Sequence, residues 1–212
     1  MNKLRYLPLM AMGILIFAQA SFAATYQIDP DHSTVSFKIR HLVSNVQGRF
    51  NQFEGKFDYD PDKPDTWKAE ATIQASSIDT NVAPRDKHLR SADFFDVEKY
   101  PILNFVSTGV SDVTETNAKL SGNLTLHGVE KPLTLDIEIH GIAKDPWGNV
   151  RAAFTATTKI NRKDFGLTWN QAVEAGKFLV GEDVTIILEI EGILEEKEAA
   201  NSGSDSGSSS KQ

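Results

Sequence analysis

The chain has 212 residues, no cysteine, and a formal net charge of −7 at pH 7. The absence of cysteine excludes disulfides, thiol catalysis, cysteine-ligated zinc and cysteine-bound iron–sulfur clusters. The acidic balance disfavours broad binding to a phosphate backbone, so no nucleic-acid partner is expected.

The amino terminus has the pattern of a secretory signal peptide. Lys3 and Arg5 precede an apolar run over residues 7–18, and small residues precede a cleavage site after Ala23. The apolar run is shorter than the roughly 20 residues that a membrane-spanning helix needs. We therefore predict that residues 1–23 are a cleaved signal peptide. Their removal takes away two basic residues and no acidic one, which changes the formal net charge from −7 to −9.

The rest of the chain is predicted to form one domain and a tail. Residues 24–194 are long enough for a single hydrophobic core with room for a cavity. Residues 195–212 consist mainly of Glu, Lys, Ser, Gly and Ala and contain no large apolar residue. Such a segment cannot bury enough apolar surface to fold, so a disordered tail is predicted there.

Apolar residues recur at alternate positions along the predicted domain. This alternation is typical of strands with one buried face, because successive side chains of a strand point to opposite faces. The alternating segments are Val35–Ile39, Phe53–Tyr59, Leu120–Leu126, Leu133–Ile139, Val150–Ile160 and Val184–Ile190. Turn-forming sequences, such as His127-Gly128 and Asp145–Asn149, separate them. We predict an all-β fold, an eight-stranded antiparallel barrel, because closure removes exposed strand edges.

The segment Asn81–Tyr100 interrupts the alternation. Pro84 fits the first turn of a helix, so one or two short helices and a loop are predicted across one mouth of the barrel. The densest group of cations in the chain lies here, and its members are Arg85, Lys87, His88 and Arg90. These charges are compatible with an ordinary solvated face and with a cationic lid that holds an anionic headgroup.

The predicted inward faces alternate small and aromatic residues. Gly55 lies between Phe53 and Phe57, and alanines flank Phe154. An eight-stranded barrel is just wide enough to be filled by side chains or to hold one slim ligand. The pattern is compatible with an apolar channel and with ordinary interdigitated packing, so both alternatives remain open.

Five segments, in order along the chain, carry a resemblance to a known family. They are Ser36–Leu42, Asp79–Pro101, Gly122–Val129, Asn161–Gly166 and Leu179–Val184. Together they resemble the YceI family over nearly all of the predicted mature domain. The resemblance implies a lipocalin-like barrel, exported to the periplasm of Gram-negative bacteria, with an elongated apolar tunnel that holds a polyisoprenoid or similar long-chain lipid.

Fifteen residues are candidate ligand contacts. The predicted tunnel wall comprises Phe37, Ile39, Phe53, Phe57, Phe105, Leu124, Leu135, Ile137, Phe154 and Phe165. The predicted mouth, where a headgroup needs polar partners, comprises His41, Arg85, Arg90, Asp93 and Trp169. The five histidines are scattered without ligand spacing and no catalytic motif is present, so we expect no metal, no catalytic residue and no cofactor other than the bound lipid.

The sequence therefore favours a periplasmic binding protein over an enzyme. It is expected to sequester or transport a polyisoprenoid or another long-chain amphipathic lipid, an isoprenoid quinone being one candidate. Two alternatives remain: a stress-response enzyme that acts on a lipid or quinone, and an interaction module with a filled core. Transient contact with a membrane and pairing into a homodimer are compatible with the resemblance, and the sequence tests neither.

Overall fold

The computed structural model describes residues 23–172 and 178–195. The predicted signal peptide and the predicted tail fall almost wholly outside these residues. The strands are β1 (Ala24–Ile28), β2 (Thr34–His41), β3 (Ser44–Phe50), β4 (Phe53–Tyr59), β5 (Lys68–Gln74), β6 (Ile78–Asp79), β7 (Ile102–Ser111), β8 (Asn117–Leu126), β9 (Val129–Lys144), β10 (Val150–Asn161) and β11 (Val180–Leu194). One α-helix, α1 (Ala83–Arg90), and three short 3₁₀ turns, at Pro64–Thr66, Ala75–Ser77 and Arg162–Phe165, complete the described part.

The strands close into an antiparallel barrel. Hydrogen bonding follows the order β1-β4-β5-β7-β8-β9-β10-β11, and β11 returns to β1 through the pair Tyr26 and Leu194. The strand β11 is long enough to pair with two strands in succession, with β2 along residues 180–189 and with β1 along residues 192–194. The predicted all-β, eight-stranded barrel is confirmed.

Eleven strand segments supply eight positions in the barrel because three positions are interrupted. The strands β1 and β2 lie end to end against β11, separated by residues 29–33. The strands β3 and β4, separated by residues 51–52, pair with β2 and β1 respectively. The short strand β6 continues the position of β5 beside β3. Sequence alternation predicts β2 and β4 but not their partners β1 and β3.

The interrupting segment forms a short helix and a loop, as predicted. The helix α1 is held against the barrel by Thr80, whose backbone N–H donates to the Asp86 carboxylate at 2.9 Å. Arg85 donates from Nε to the Thr80 hydroxyl at 2.7 Å. The loop that follows places Phe95 edge-on against Phe50 of β3, with ring centroids 5.7 Å apart. We call α1 and residues 91–97 the cap.

Aromatic rings fill the opposite end of the barrel. Tyr26 stacks on Phe57 with ring centroids 5.2 Å apart, and Phe154 packs edge-on against Phe57 at 5.3 Å and Tyr59 at 4.9 Å. Trp67 packs on Tyr59 at 4.7 Å. Burial raises the pKa of the Tyr26 and Tyr59 hydroxyls. We call these five residues the aromatic plug.

One arginine holds together the turns outside the plug. The Arg151 guanidinium donates to the carboxylates of Asp145 at 2.8 Å, Asp29 at 2.8 Å and Glu191 at 2.6 Å. The Asp145 side chain is only 8% exposed. Its hydrogen bond from Arg151 holds the pKa of Asp145 well below the ordinary value of an aspartate. The cluster joins the β1–β2 turn, the β9–β10 turn and β11.

Removal of one ring from the aromatic plug should strongly reduce the stability of the fold. We expect Phe57→Ala to lower the free energy of unfolding by about 3–5 kcal/mol, because truncating a buried aromatic residue loses transfer energy and leaves a void. Chemical denaturation measures this change. Trp147→Ala, at an aromatic residue that is 83% exposed, should stay within about 0.5 kcal/mol of the wild type. Equal stability of Phe57→Ala and the wild type would contradict the role of the plug.

The Arg151 cluster should make the stability of the folded chain depend on pH. Because the pKa of Asp145 is lower in the folded chain, its contribution to stability is complete above the ordinary aspartate pKa, about 3.9, and is lost as the pH falls through the folded value. We expect Arg151→Gln to reduce stability at neutral pH and to weaken the decline below about pH 4, as measured by urea denaturation across pH.

A matched change at an exposed ion pair serves as the control. Lys119 lies 3.3 Å from Asp112, and both side chains are about half exposed or more. Lys119→Gln should leave the decline of stability at acidic pH unchanged, because exposed ion pairs contribute little to stability. If the stability of Arg151→Gln declined with falling pH as steeply as that of the wild type, the proposed role of the Arg151–Asp145 contact would be contradicted.

Candidate functional site

An apolar cavity of about 500 Å³ occupies the barrel between the aromatic plug and the cap. Its volume lies within the roughly 300–1,000 Å³ of typical small-ligand sites. Alternate residues of the strands line it, because their inward faces converge on the barrel axis. On β11, for example, Val184, Ile186, Leu188 and Ile190 line the wall. The predicted alternation of β11 thus identifies the face that borders the cavity.

Glycines keep two aromatic rings close to the wall. A Cβ atom on Gly48 would lie 2.5 Å from Cζ of Phe37, and a Cβ on Gly122 would overlap the ring of Phe105. Both rings line the cavity. The rings of Phe37 and Phe105 therefore occupy the space next to these glycines, and the open volume of the cavity lies beyond the rings. Near the plug, a Cβ on Gly192 would lie 2.5 Å from the ring of Phe57, so there the same arrangement fills the interior.

The structure brings nine of the fifteen predicted contacts into the cavity wall. They come from β2, β4, β7, β8, β9, the cap and the segment after β10. They are Phe37, Ile39, His41, Phe53, Arg85, Phe105, Leu124, Leu135 and Trp169. Whether they contact a ligand stays a prediction, but they border one cavity.

Four predicted wall residues lie elsewhere. Phe57 and Phe154 belong to the aromatic plug, because their positions on β4 and β10 are too close to the filled end. Ile137 is on the inward side of β9 but faces Ala118 and Ala156 across its two strand pairs, between the cavity and the plug. Phe165 is 2% exposed and packs in the core next to the cavity without lining it.

Two predicted mouth residues also lie outside the cavity wall, because Arg90 is bonded to the barrel and Asp93 to another residue of the cap. The Arg90 guanidinium donates to the backbone carbonyls of Ser76 and Ile78, at 2.6 Å each. The Asp93 carboxylate lies 2.8 Å from Nε2 of His88. Arg85 does line the cavity, but its guanidinium donates to the Thr80 hydroxyl and carbonyl. Arg85 and Arg90 thus tie the cap to the barrel, which weighs against the alternative of a lid whose cations are all available to a headgroup.

The cap adds wall residues that the sequence interpretation missed. Leu89, Phe94 and Phe95 line the cavity. Trp169 packs against His88 at 4.9 Å and against Phe94 at 5.1 Å between ring centroids. The sequence did contain a signal for this buried position, namely the adjacent residues Phe94 and Phe95 within a charged segment. Exposed polar segments rarely carry two large apolar residues together.

Arg162 is the most consequential residue that the prediction left out. It continues the inward alternation of β10 two residues after Ile160, lines the cavity, and is only 3% exposed. Its Nε donates to the Gly181 carbonyl at 2.8 Å and its Nη1 donates to the Leu167 carbonyl. Among the described residues, its Nη2 has no hydrogen-bond partner.

Burial also changes the acidity of this group. Desolvation lowers the pKa of Arg162, and the charge of nearby Glu182 opposes that shift. A buried guanidinium with an unused donor has the chemistry to hold an oxygen acceptor. The largely apolar wall therefore includes a buried donor group with an unused N–H near the end of β10.

A second group of polar residues lies outside the barrel interior. In the described ranges, one group of His, Asp and Glu side chains is close enough to share a metal ion, namely Asp29, His32 and Glu191. The Arg151 guanidinium already bonds to Asp29 and Glu191. These carboxylates therefore have a cation from the chain itself. Across the same described ranges, no helix has the length and apolar character required to cross a bilayer.

Comparison with known proteins gives concordant matches. The YceI-like domain profile matches residues 26–192. A UPF0312 protein of Pseudomonas putida (strain W619) is 46% identical over 162 residues, which are 74% of this chain and 84% of the relative. The crystal structure of a Campylobacter jejuni YCEI protein has a TM-score of 0.64 at 34% identity, covering 76% of this chain and 91% of that chain.

A more distant structure shares the fold alone. It is a polyisoprenoid binding domain from Saccharophagus degradans, implicated in plant cell wall breakdown, with a TM-score of 0.60 at 15% identity over 82% of this chain and 99% of that chain. The profile match extends from β1 into the last strand and so includes the whole barrel with its cavity. On these grounds the chain belongs to the YceI family.

Proposed function

We propose that the protein binds one long-chain lipid of the polyisoprenoid class in its cavity, and sequesters or transports it in the periplasm after export. The observation that carries the proposal is an apolar cavity of about 500 Å³. The aromatic plug closes one end of this cavity, and the cap covers the other. The structural neighbour described as a polyisoprenoid binding domain supports the ligand class.

The ligand is proposed to lie with its tail toward the aromatic plug. Apolar side chains from both sides of the barrel surround that path, including Ile28 and Ile190 near its closed end. Each buried methylene-sized unit contributes about 0.8 kcal/mol, so the tail supplies most of the affinity. The polar end then lies near Arg162, His41 and Trp169, which line the cavity toward the cap.

The unused Nη2 donor of Arg162 favours a ligand whose polar end carries an oxygen acceptor. A prenyl phosphate, a fatty carboxylate and a quinone carbonyl all satisfy this condition. An isoprenoid quinone therefore remains one candidate. The open volume disfavours the alternative of an interaction module with a filled core. For the enzyme alternative, no group of residues in the described ranges offers comparable support.

Bound lipid provides the direct test. We expect native mass spectrometry of the protein, produced with its export signal in a Gram-negative host, to show one lipid per chain. Organic extraction followed by mass spectrometry should then release a prenyl lipid. A protein that carries no lipid and takes up no added prenyl lipid would overturn the proposal.

A cavity-filling substitution tests the location of the ligand. Ile186 lines the cavity at the middle of β11, whereas Ile187 borders an outer groove. We expect Ile186→Trp to weaken lipid binding more than tenfold, because displacing only two methylene groups costs about 1.6 kcal/mol. Titration with a fluorescent prenyl lipid measures this change.

Ile187→Trp is the matched control, because it makes the same substitution one residue along on the opposite face. It should bind the lipid like the wild type. Circular dichroism and thermal unfolding should show that both variants remain folded. Equal binding by the two folded variants would place the ligand outside this cavity.

A further inference from the structure

The turn between β2 and β3 exposes two apolar residues. Leu42 is 44% exposed and Val43 is 89% exposed. Leu42 also has φ = 50°, in the left-handed region that Gly and Asn adopt more readily than Leu. The turn therefore carries residues that suit neither exposure to water nor the local backbone conformation. Such a departure from turn chemistry points to a role outside folding.

A third exposed apolar residue lies beside this turn. The Leu42 N–H donates to the carbonyl of Leu179 at 2.9 Å, which brings the turn next to Phe178. Phe178 is 57% exposed. Seven large apolar residues of the described chain are exposed, and these three lie on the two segments that this hydrogen bond joins. We call Leu42, Val43 and Phe178 the apolar rim.

The apolar rim is continuous with the cavity. His41 precedes the turn, pairs with Val180, and lines the cavity together with Val180 and Leu179. The apolar rim thus adjoins the cavity wall through residues 41 and 179–180 at this end of the barrel. A lipid tail that crossed here would pass from the apolar cavity wall to the apolar side chains of the rim, which limits its exposure to water.

Cationic side chains flank the apolar rim. Arg40 donates from Nε to the Leu42 carbonyl at 2.8 Å, and it takes part in no ion pair among the described residues. The Nζ of Lys163 lies 5.7 Å from the ring centroid of Phe178, although this amine also pairs with Glu182. Apolar side chains flanked by Arg and Lys match the boundary between acyl chains and phosphates in a bilayer.

We propose that the apolar rim docks on the surface of a phospholipid bilayer and aligns the cavity with the membrane during lipid exchange. The purpose of the contact rests on the proposed function, but the contact itself is testable separately. Leu42 and Val43 insert among the upper acyl chains, while Arg40 and Lys163 lie at the level of the phosphates. A bilayer is favoured over a protein partner because the rim is continuous with a cavity suited to a lipid.

Site-specific fluorescence tests the docking geometry. The chain has no cysteine, so Val43→Cys provides one site for an environment-sensitive nitrobenzoxadiazole label. Trp147→Cys is the matched control, because Trp147 is also highly exposed but lies in the β9–β10 turn at the plug end. Vesicles of equal parts phosphatidylcholine and phosphatidylglycerol should shift the emission at position 43 to shorter wavelength. The label at position 147 should not respond.

A second variant separates docking from folding. Leu42→Asn combined with Val43→Ser replaces the apolar tip by residues that suit the turn, and Asn tolerates positive φ at position 42. We expect this variant to keep or raise the melting temperature and to lose vesicle co-sedimentation by about tenfold or more. Trp147→Ser should co-sediment like the wild type.

The outcomes distinguish docking from lipid storage. A wild-type protein that does not co-sediment, or a label at position 43 that ignores vesicles, overturns the docking proposal even where native mass spectrometry finds bound lipid. An unchanged vesicle affinity of the tip variant also overturns it. Conversely, a responsive label on a protein with an empty cavity that takes up no prenyl lipid supports docking and removes the proposed function.

Discussion

The stacked rings of Tyr26 and Phe57, with Phe154 packed edge-on against Phe57, occupy the interior of the barrel at one end. An eight-stranded barrel has too little internal width to hold both this packing and a ligand at the same level. The cavity must therefore begin where the rings end. This constraint sets the depth of the cavity and its closed end.

Closure of the barrel makes that packing possible. The strand β11 pairs with β2 beside the cavity and with β1 beside the plug, so one continuous strand connects the open and filled parts. The Arg151 cluster ties the turns at the filled end, where three carboxylates meet one guanidinium. At the other end, Asp86 and Arg85 hold the cap through Thr80. Polar contacts thus stabilise both ends and leave the cavity wall largely apolar.

The two ends have different surfaces as well as different interiors. The plug end carries ion pairs and one exposed aromatic residue, Trp147. The cavity end carries the apolar rim, and Arg162 lies inside it. The two ends of one barrel therefore differ in chemistry. One end is held by packed rings and ion pairs, and the other combines the cavity, a buried donor and an exposed apolar surface.

Alternation in the sequence determined the all-β class and which residues of each main strand share a face. Phe37, Leu124 and Leu135 follow the alternation and were predicted to line the tunnel that the resemblance implies, and all three line the cavity. The short helix followed from Pro84 and the interruption of the alternation. The resemblance to the YceI family followed from segments spread over the domain, and the profile match confirms it. Each of these features depends on neighbouring residues or on the order of segments along the chain, so it can be predicted from the sequence.

Only the tertiary structure decided which inward residues border open space. Phe53 and Phe57 share one face of β4, yet the first lines the cavity and the second belongs to the plug. Their difference depends on partners distant in the chain, such as Tyr26 and Phe154. The same holds for Arg90, whose cationic character was evident although its backbone partners were not. Alternation specifies the face of a strand, whereas the depth along the barrel and the partners of a charge depend on how distant segments pack.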